Sequence, residues 1–124
     1  MSKILILGFH TINLILIIFY LYPGSLLGLF LYNDSSIQPQ ITKDFLISSN
    51  HFFAFIILSI AGIISYNKSN NINVLIVYLI LLAIILEFFH FIIPNREFEL
   101  SDLFGNFLGV VLVITFYEIK NRYV

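Results

Sequence analysis

Residues 87–109 read EFFHFIIPNREFELSDLFGNFLG. Two apolar runs flank a Pro94-Asn95 pair and a short charged segment, the chemistry of a turn between two helices. Before the turn, Glu87 and His90 are three residues apart and face one way. After it, Asp102, Gly105, Asn106 and Gly109 fall at i, i+3, i+4 and i+7 and form a single stripe. The stretch predicts a helical hairpin whose polar residues turn toward a common neighbour.

Working outward, apolar runs of spanning length, about 20 residues for a ~30 Å hydrocarbon core, cover residues 4–22, 45–66, 72–93 and 103–119. They are separated by Pro23-Gly24 and by polar tracts at 33–44, 67–71 and 94–102. Hydrophobic residues make up 60% of the 124-residue chain and charged residues 10%, where a soluble domain sits nearer one half and one quarter. The expected fold is therefore all-α: one polytopic membrane domain over 1–124, built as a four-helix transmembrane bundle without linker or repeat. Residues 24–32 are too short to cross, and are expected to lie at the interface or to extend the first helix beyond a kink at Pro23. The first run follows Lys3 but is long for a secretory signal and lacks a small-x-small cleavage site, so it reads as a retained helix. The absence of cysteine excludes disulfides and thiolate metal sites, and a formal net charge of −1 gives no electrostatic basis for binding nucleic acid.

Placing the amino terminus inside puts Lys3, Lys68, Lys120 and Arg122 in the cytoplasm and leaves Lys43 and Arg96 outside, the bias that the positive-inside rule counts. Both termini are expected to be cytoplasmic. Glu87 and His90 then lie in the last two turns of the third span, and Asp102 and Asn106 in the first two turns of the fourth. His51, six residues into the second span, sits about 10 Å below its outer end at 1.5 Å per residue. Three helices thus bring polar residues to one outer level. Because ionisable side chains are costly toward lipid, they should point into the bundle, and Gly105-x-x-x-Gly109 is a small-x-x-x-small pattern that lets a neighbouring helix come close.

Other polar residues read more plainly. His10 and Asn13 share a face of the first helix and are expected to hydrogen-bond within the bundle. Tyr20, Tyr22, Tyr32, Tyr66, Tyr117 and Tyr123 fall near helix ends, as interfacial aromatic belts do. Glu118 and Arg122 form an i,i+4 pair suited to a solvated ion pair of little consequence.

At the hairpin the sequence resembles the VanZ-like membrane proteins. Their signature is a glutamate, a glutamine or similar residue three further on, then P-x-R, a five-residue gap, an aspartate and N-x-x-G. Here it reads Glu87, His90, Pro94, Arg96, Asp102, Asn106 and Gly109 with every interval kept. The family also carries a histidine at the start of an earlier helix, matched by His51. An Asp-Lys pair common before that histidine is Ile47-Ser48 in this chain, and His90 replaces the usual glutamine. The family takes its name from a protein conferring low-level resistance to the glycopeptide teicoplanin. The resemblance implies a multi-pass protein of the bacterial cytoplasmic (inner) membrane belonging to the cell envelope.

Three readings fit the cluster of His51, Glu87, His90, Asp102 and Asn106. It is an internal polar network that fixes helix packing, an anionic-ligand or catalytic site, or a metal site whose two histidines and two carboxylates complete a tetrahedral shell. No metal motif such as H-E-x-x-H is present, and no cofactor is expected. Arg96 reads as the partner of Asp102 or as a planar fork for a phosphate or carboxylate. The leading expectation is a protein whose partners are membrane lipids: it binds an anionic lipid, a lipid-linked cell-wall precursor or a glycopeptide through this cluster at the extracytoplasmic side. The alternative is a small membrane enzyme using Glu87 and His90 as acid and base on a lipid headgroup, with Arg96 on the phosphate. A proton-coupled transporter ranks last, because four helices without an internal repeat are a small scaffold for alternating access unless they form a homo-oligomer.

Overall fold

The computed structural model describes residues 2–124. Among these residues five helices form and no strand: α1 (Lys3–Leu21), α2 (Leu26–Tyr32), α3 (Ser49–Tyr66), α4 (Ile72–Phe89) and α5 (Leu100–Tyr123). All but α2 are long and apolar enough to cross a membrane. Only 17–39% of their most apolar stretches is buried inside the protein. Residues such as Leu7 and Leu14 on α1, Ile57 and Ile64 on α3, Val74 and Val77 on α4 and Phe116 on α5 face outward. An apolar surface of that extent is tolerable against lipid and not against water. The all-α, four-span architecture expected of the sequence is the one observed.

The core is a thin column between the spans. Phe9, Leu16 and Tyr20 of α1 meet Phe55 and Leu58 of α3, Leu75, Leu79, Ala83 and Leu86 of α4, and Val110 of α5. The most extensive pairing joins α3 to α5, and glycine makes it possible. A Cβ at Gly105 would stand 2.8 Å from the Ser48 carbonyl oxygen, and one at Gly109 would stand 2.7 Å from that of Phe52. The backbone of α5 therefore rests directly on α3, as small-residue helix contacts allow.

Polar residues collect at the two ends of the column. At the end holding the amino terminus, His10 Nε2 lies 3.0 Å from the Tyr66 hydroxyl, and Asn13 Nδ2 donates to the Tyr78 hydroxyl at 2.6 Å. The Ser65 hydroxyl reaches Leu5 O at 2.8 Å. The carboxyl end of α1 meets the amino ends of α3 and α5 and the carboxyl end of α4 at the opposite end, where the larger polar cluster forms.

The helices start and stop elsewhere than the hydropathy runs, for local reasons. The span expected from residue 45 begins as a helix only at Ser49, because Asp44 Oδ1 accepts the Ser49 N–H at 2.9 Å and residues 45–48 loop out to place that carboxylate. Such a carboxylate also suits the positive end of the helix dipole. His51 is consequently in the first turn of α3 rather than deep in a span. The third span closes at Phe89, not 93: approaching Pro94, the backbone tightens into His90 N–H to Glu87 O at 3.0 Å and Phe91 N–H to Phe88 O at 3.2 Å. The fourth begins at Leu100, with extended Glu99 as its cap, and runs to Tyr123. Residues 24–32 contain the separate short helix α2, capped by Ser25 Oγ and ended by Asn33 in the left-handed region at φ 53°.

Candidate functional site

Asn106 sets the hydrogen-bond polarity of the cluster. Its Nδ2 donates to Ala83 O at 3.0 Å, so Oδ1 is turned to the site and can only accept. The Tyr20 hydroxyl donates to that oxygen at 2.5 Å. His51 Nδ1 lies 3.0 Å from the same oxygen and 2.7 Å from the Tyr20 hydroxyl, whose proton is already committed. Nδ1 must therefore carry a proton, and in the neutral ring the lone pair is on Nε2. That nitrogen stands 3.5 Å from Asp102 Oδ2.

Glu87 is fully buried and its two oxygens have different surroundings. Oε1 accepts the backbone N–H of Glu99 at 3.1 Å and lies 3.1 Å from His90 Nδ1. His90 Nε2 donates to Tyr20 O at 3.0 Å, so the Glu87–His90 pair holds one further proton between its members. Oε2 has no hydrogen-bond partner among the described residues and lies 3.9 Å from His51 Nδ1. The Tyr20 ring stacks on His90 at a centroid separation of 5.9 Å and meets His51 edge-on at 4.8 Å.

The structure thus brings together His51, Glu87, His90, Asp102 and Asn106, and it adds Tyr20. Sequence position marked Tyr20 as interfacial, whereas it is buried with its hydroxyl at the centre of the cluster. The available signal was spacing: Phe9, Leu16 and Tyr20 recur at intervals of seven and four, the inward stripe of α1. Gly105 and Gly109 lie behind the cluster at the α3–α5 contact.

Arg96 stands apart. Among the described residues, side-chain ion pairs within 4.0 Å run through His51 and His90 alone, so Arg96 is not paired with Asp102. Its Nε donates to Tyr22 O at 3.0 Å and its Nη2 to Phe19 O at 2.7 Å, capping the carboxyl end of α1 where the dipole favours a cation. A Pro94-Asn95 turn, closed by Arg96 N–H to Ile93 O with Asn95 at φ 61°, delivers the side chain there. Burial draws the guanidinium below its ordinary value, opposed by the carboxylates of Asp102 and Glu87, and it stays charged. Farther out in the 33–48 loop, hydrogen bonds from the Ser36 hydroxyl and N–H hold the Asp34 carboxyl below its usual range.

These groups border a cleft of about 1240 Å³. One wall is polar and includes His51, Asp102, Arg96, Glu97, Glu99 and Asp44. The other runs along α1 and α3 and is apolar, with Ile12, Ile15, Leu16, Phe53 and Ile57. Acid dominates the polar side, with four carboxylates, Asp44, Glu97, Glu99 and Asp102, against one guanidinium. Glu87 lies beneath this surface and His90, 2% exposed, borders the cleft only at its edge, while His51 and Asp102 retain side-chain exposures of 15% and 17% and present the cluster to the cleft. No family model, curated protein or solved structure matches the chain.

Proposed function

We propose that this multi-pass membrane protein is a VanZ-like protein of the bacterial cytoplasmic membrane and envelope. In this reading the cleft opens on the extracytoplasmic side and receives a membrane amphiphile: an anionic lipid, a lipid-linked cell-wall precursor or a glycopeptide. The observation that carries it is the two-sided cleft. An apolar wall along α1 and α3 continues into a polar wall at the helix ends, a form suited to an acyl or isoprenoid chain joined to a polar head.

The charge of the polar wall narrows the head group. Arg96 has two nitrogens committed to α1 carbonyls, which leaves Nη1 to meet a phosphate, while a head carrying amines meets the carboxylates directly. The enzyme alternative, with Glu87 and His90 as acid and base, draws less support, because those side chains are 0% and 2% exposed and Glu87 does not reach the cleft lining.

Native mass spectrometry tests the reading. The full chain would be released from nanodiscs of phosphatidylethanolamine, phosphatidylglycerol and undecaprenyl phosphate. One retained lipid is expected, and it should be lost in Ala54→Phe, which fills the apolar wall, and kept in Val77→Phe on an outward face of α4. Equal retention by the three proteins, or none by any, overturns it.

A further inference from the structure

We propose that His51, Glu87 and Asp102 bind one divalent transition-metal ion of the zinc class, with an open coordination position toward the cleft. One ligand atom from each residue lies within 4.8 Å of those of the other two. This site stands independently of whether the cleft takes an amphiphile.

Glu87 provides the first argument. Its Oε1 is occupied by the Glu99 N–H and by His90, yet Oε2 of the same fully buried side chain has no partner among the described residues. A buried, unpartnered carboxylate oxygen costs free energy, and this one lies on the His51 side of Glu87, 3.9 Å from the Nδ1 that the ring turns to Asn106 and Tyr20. An ion held there supplies the missing partner of a carboxylate that shares one proton with His90, and balances the charge of Asp102 brought in on a separate helix.

The second argument is the state of His51. Metal-binding imidazoles are usually fixed by a hydrogen bond from the ring nitrogen that does not ligate. Here Asn106 Oδ1, itself immobilised by its bond to Ala83 O, and the Tyr20 hydroxyl hold Nδ1–H. The lone pair is thereby on Nε2, beside Asp102 Oδ2 at 3.5 Å. Ligand atoms about 2.0–2.1 Å from a tetrahedral zinc are about 3.3 Å apart, so this edge of the shell is nearly formed. Glu87 is likewise oriented by His90 and Glu99. One imidazole with two carboxylates favours zinc or a neighbouring transition metal over calcium or magnesium, which take oxygen ligands.

The geometry also explains the small residue behind the site. A Cβ at Gly105 would lie 3.2 Å from His51 Cβ, so glycine there lets α5 bring Asp102 alongside His51.

The test uses the full chain, purified in detergent on a tag without histidines, stripped with chelator and titrated with zinc and then with cobalt as a spectroscopic probe. The expected result is one ion per chain and a cobalt spectrum showing nitrogen and oxygen ligation. Asp102→Asn keeps the shape of a partly exposed side chain and should weaken zinc binding at least about 100-fold; Tyr20→Phe, which loosens the hold on Nδ1–H, should weaken it about 10-fold. His10→Gln, at the other end of the bundle, should bind as the parent does. If Glu87→Gln or His51→Gln fails to fold, Asp102→Asn still decides. Failure of the stripped parent to take up zinc, or an unchanged affinity in Asp102→Asn, overturns the assignment.

Discussion

Tyr20 shows how much a single hydroxyl organises. It donates to Asn106 Oδ1, receives the His51 Nδ1 proton, and its ring packs against both histidines. Tyr20→Phe removes the donor and leaves buried polar atoms short of a partner, which should destabilise the protein by about 1–3 kcal/mol. Thermal unfolding in detergent checks this against Tyr22→Phe, whose hydroxyl makes no hydrogen bond among the described residues; that change should stay within about 0.5 kcal/mol. A larger loss from Tyr22→Phe would sink the account. The contrast also marks a limit of reading by position. Both tyrosines end one apolar run, where a belt residue and a buried one look alike, and only the seven-and-four spacing back to Phe9 separates Tyr20. Glu87, His90 and Asn106 were legible for the opposite reason, since isolated polar residues within spanning runs have few places to go except inward, and Asp102 was legible through its i,i+4 spacing to Asn106.

At the scale of elements, the α3–α5 contact follows from two side chains being absent. Gly109→Ala would press a methyl group toward the Phe52 carbonyl oxygen at 2.7 Å and Phe55 Cβ at 3.1 Å, and backbone cannot give way as a flexible side chain can. Overpacking of this kind costs about 1–3 kcal/mol, against a gain of up to about 1 kcal/mol from the better helix former. Gly8→Ala meets nothing within 4 Å and should keep that gain. The two alanines are therefore expected to move the unfolding midpoint in opposite directions, and a stabilised Gly109→Ala would refute the close approach. The glycine spacing was readable in the sequence, whereas its partner helix was not, because each of three other spans could have supplied the facing surface. Helix ends were less legible still: the start of α3 depends on Asp44 reaching over residues 45–48, a side-chain contact that hydropathy does not register.

For the molecule as a whole, the polarity of its two ends is the basis on which we propose how it sits in a bilayer. Lys3 begins α1, Lys68 lies between α3 and α4, and Lys120 and Arg122 close α5, all at one end; Lys43 and Arg96 are at the end with the cleft. Cationic flanks favour the cytoplasmic side, so the orientation we propose turns the cleft outward and would put the exposed loop apolars Phe45, Phe91 and Ile92 at the external interface. The native chain has no cysteine, so single cysteines report without background. Gln38→Cys lies on the exposed loop beside the cleft and Asn70→Cys in the exposed turn between α3 and α4. A membrane-impermeant maleimide should label Gln38→Cys in intact cells at several times the level of Asn70→Cys, and permeabilised cells should label both. Labelling of Asn70→Cys alone in intact cells would turn the protein over, and the cleft would then meet cytoplasmic rather than external ligands.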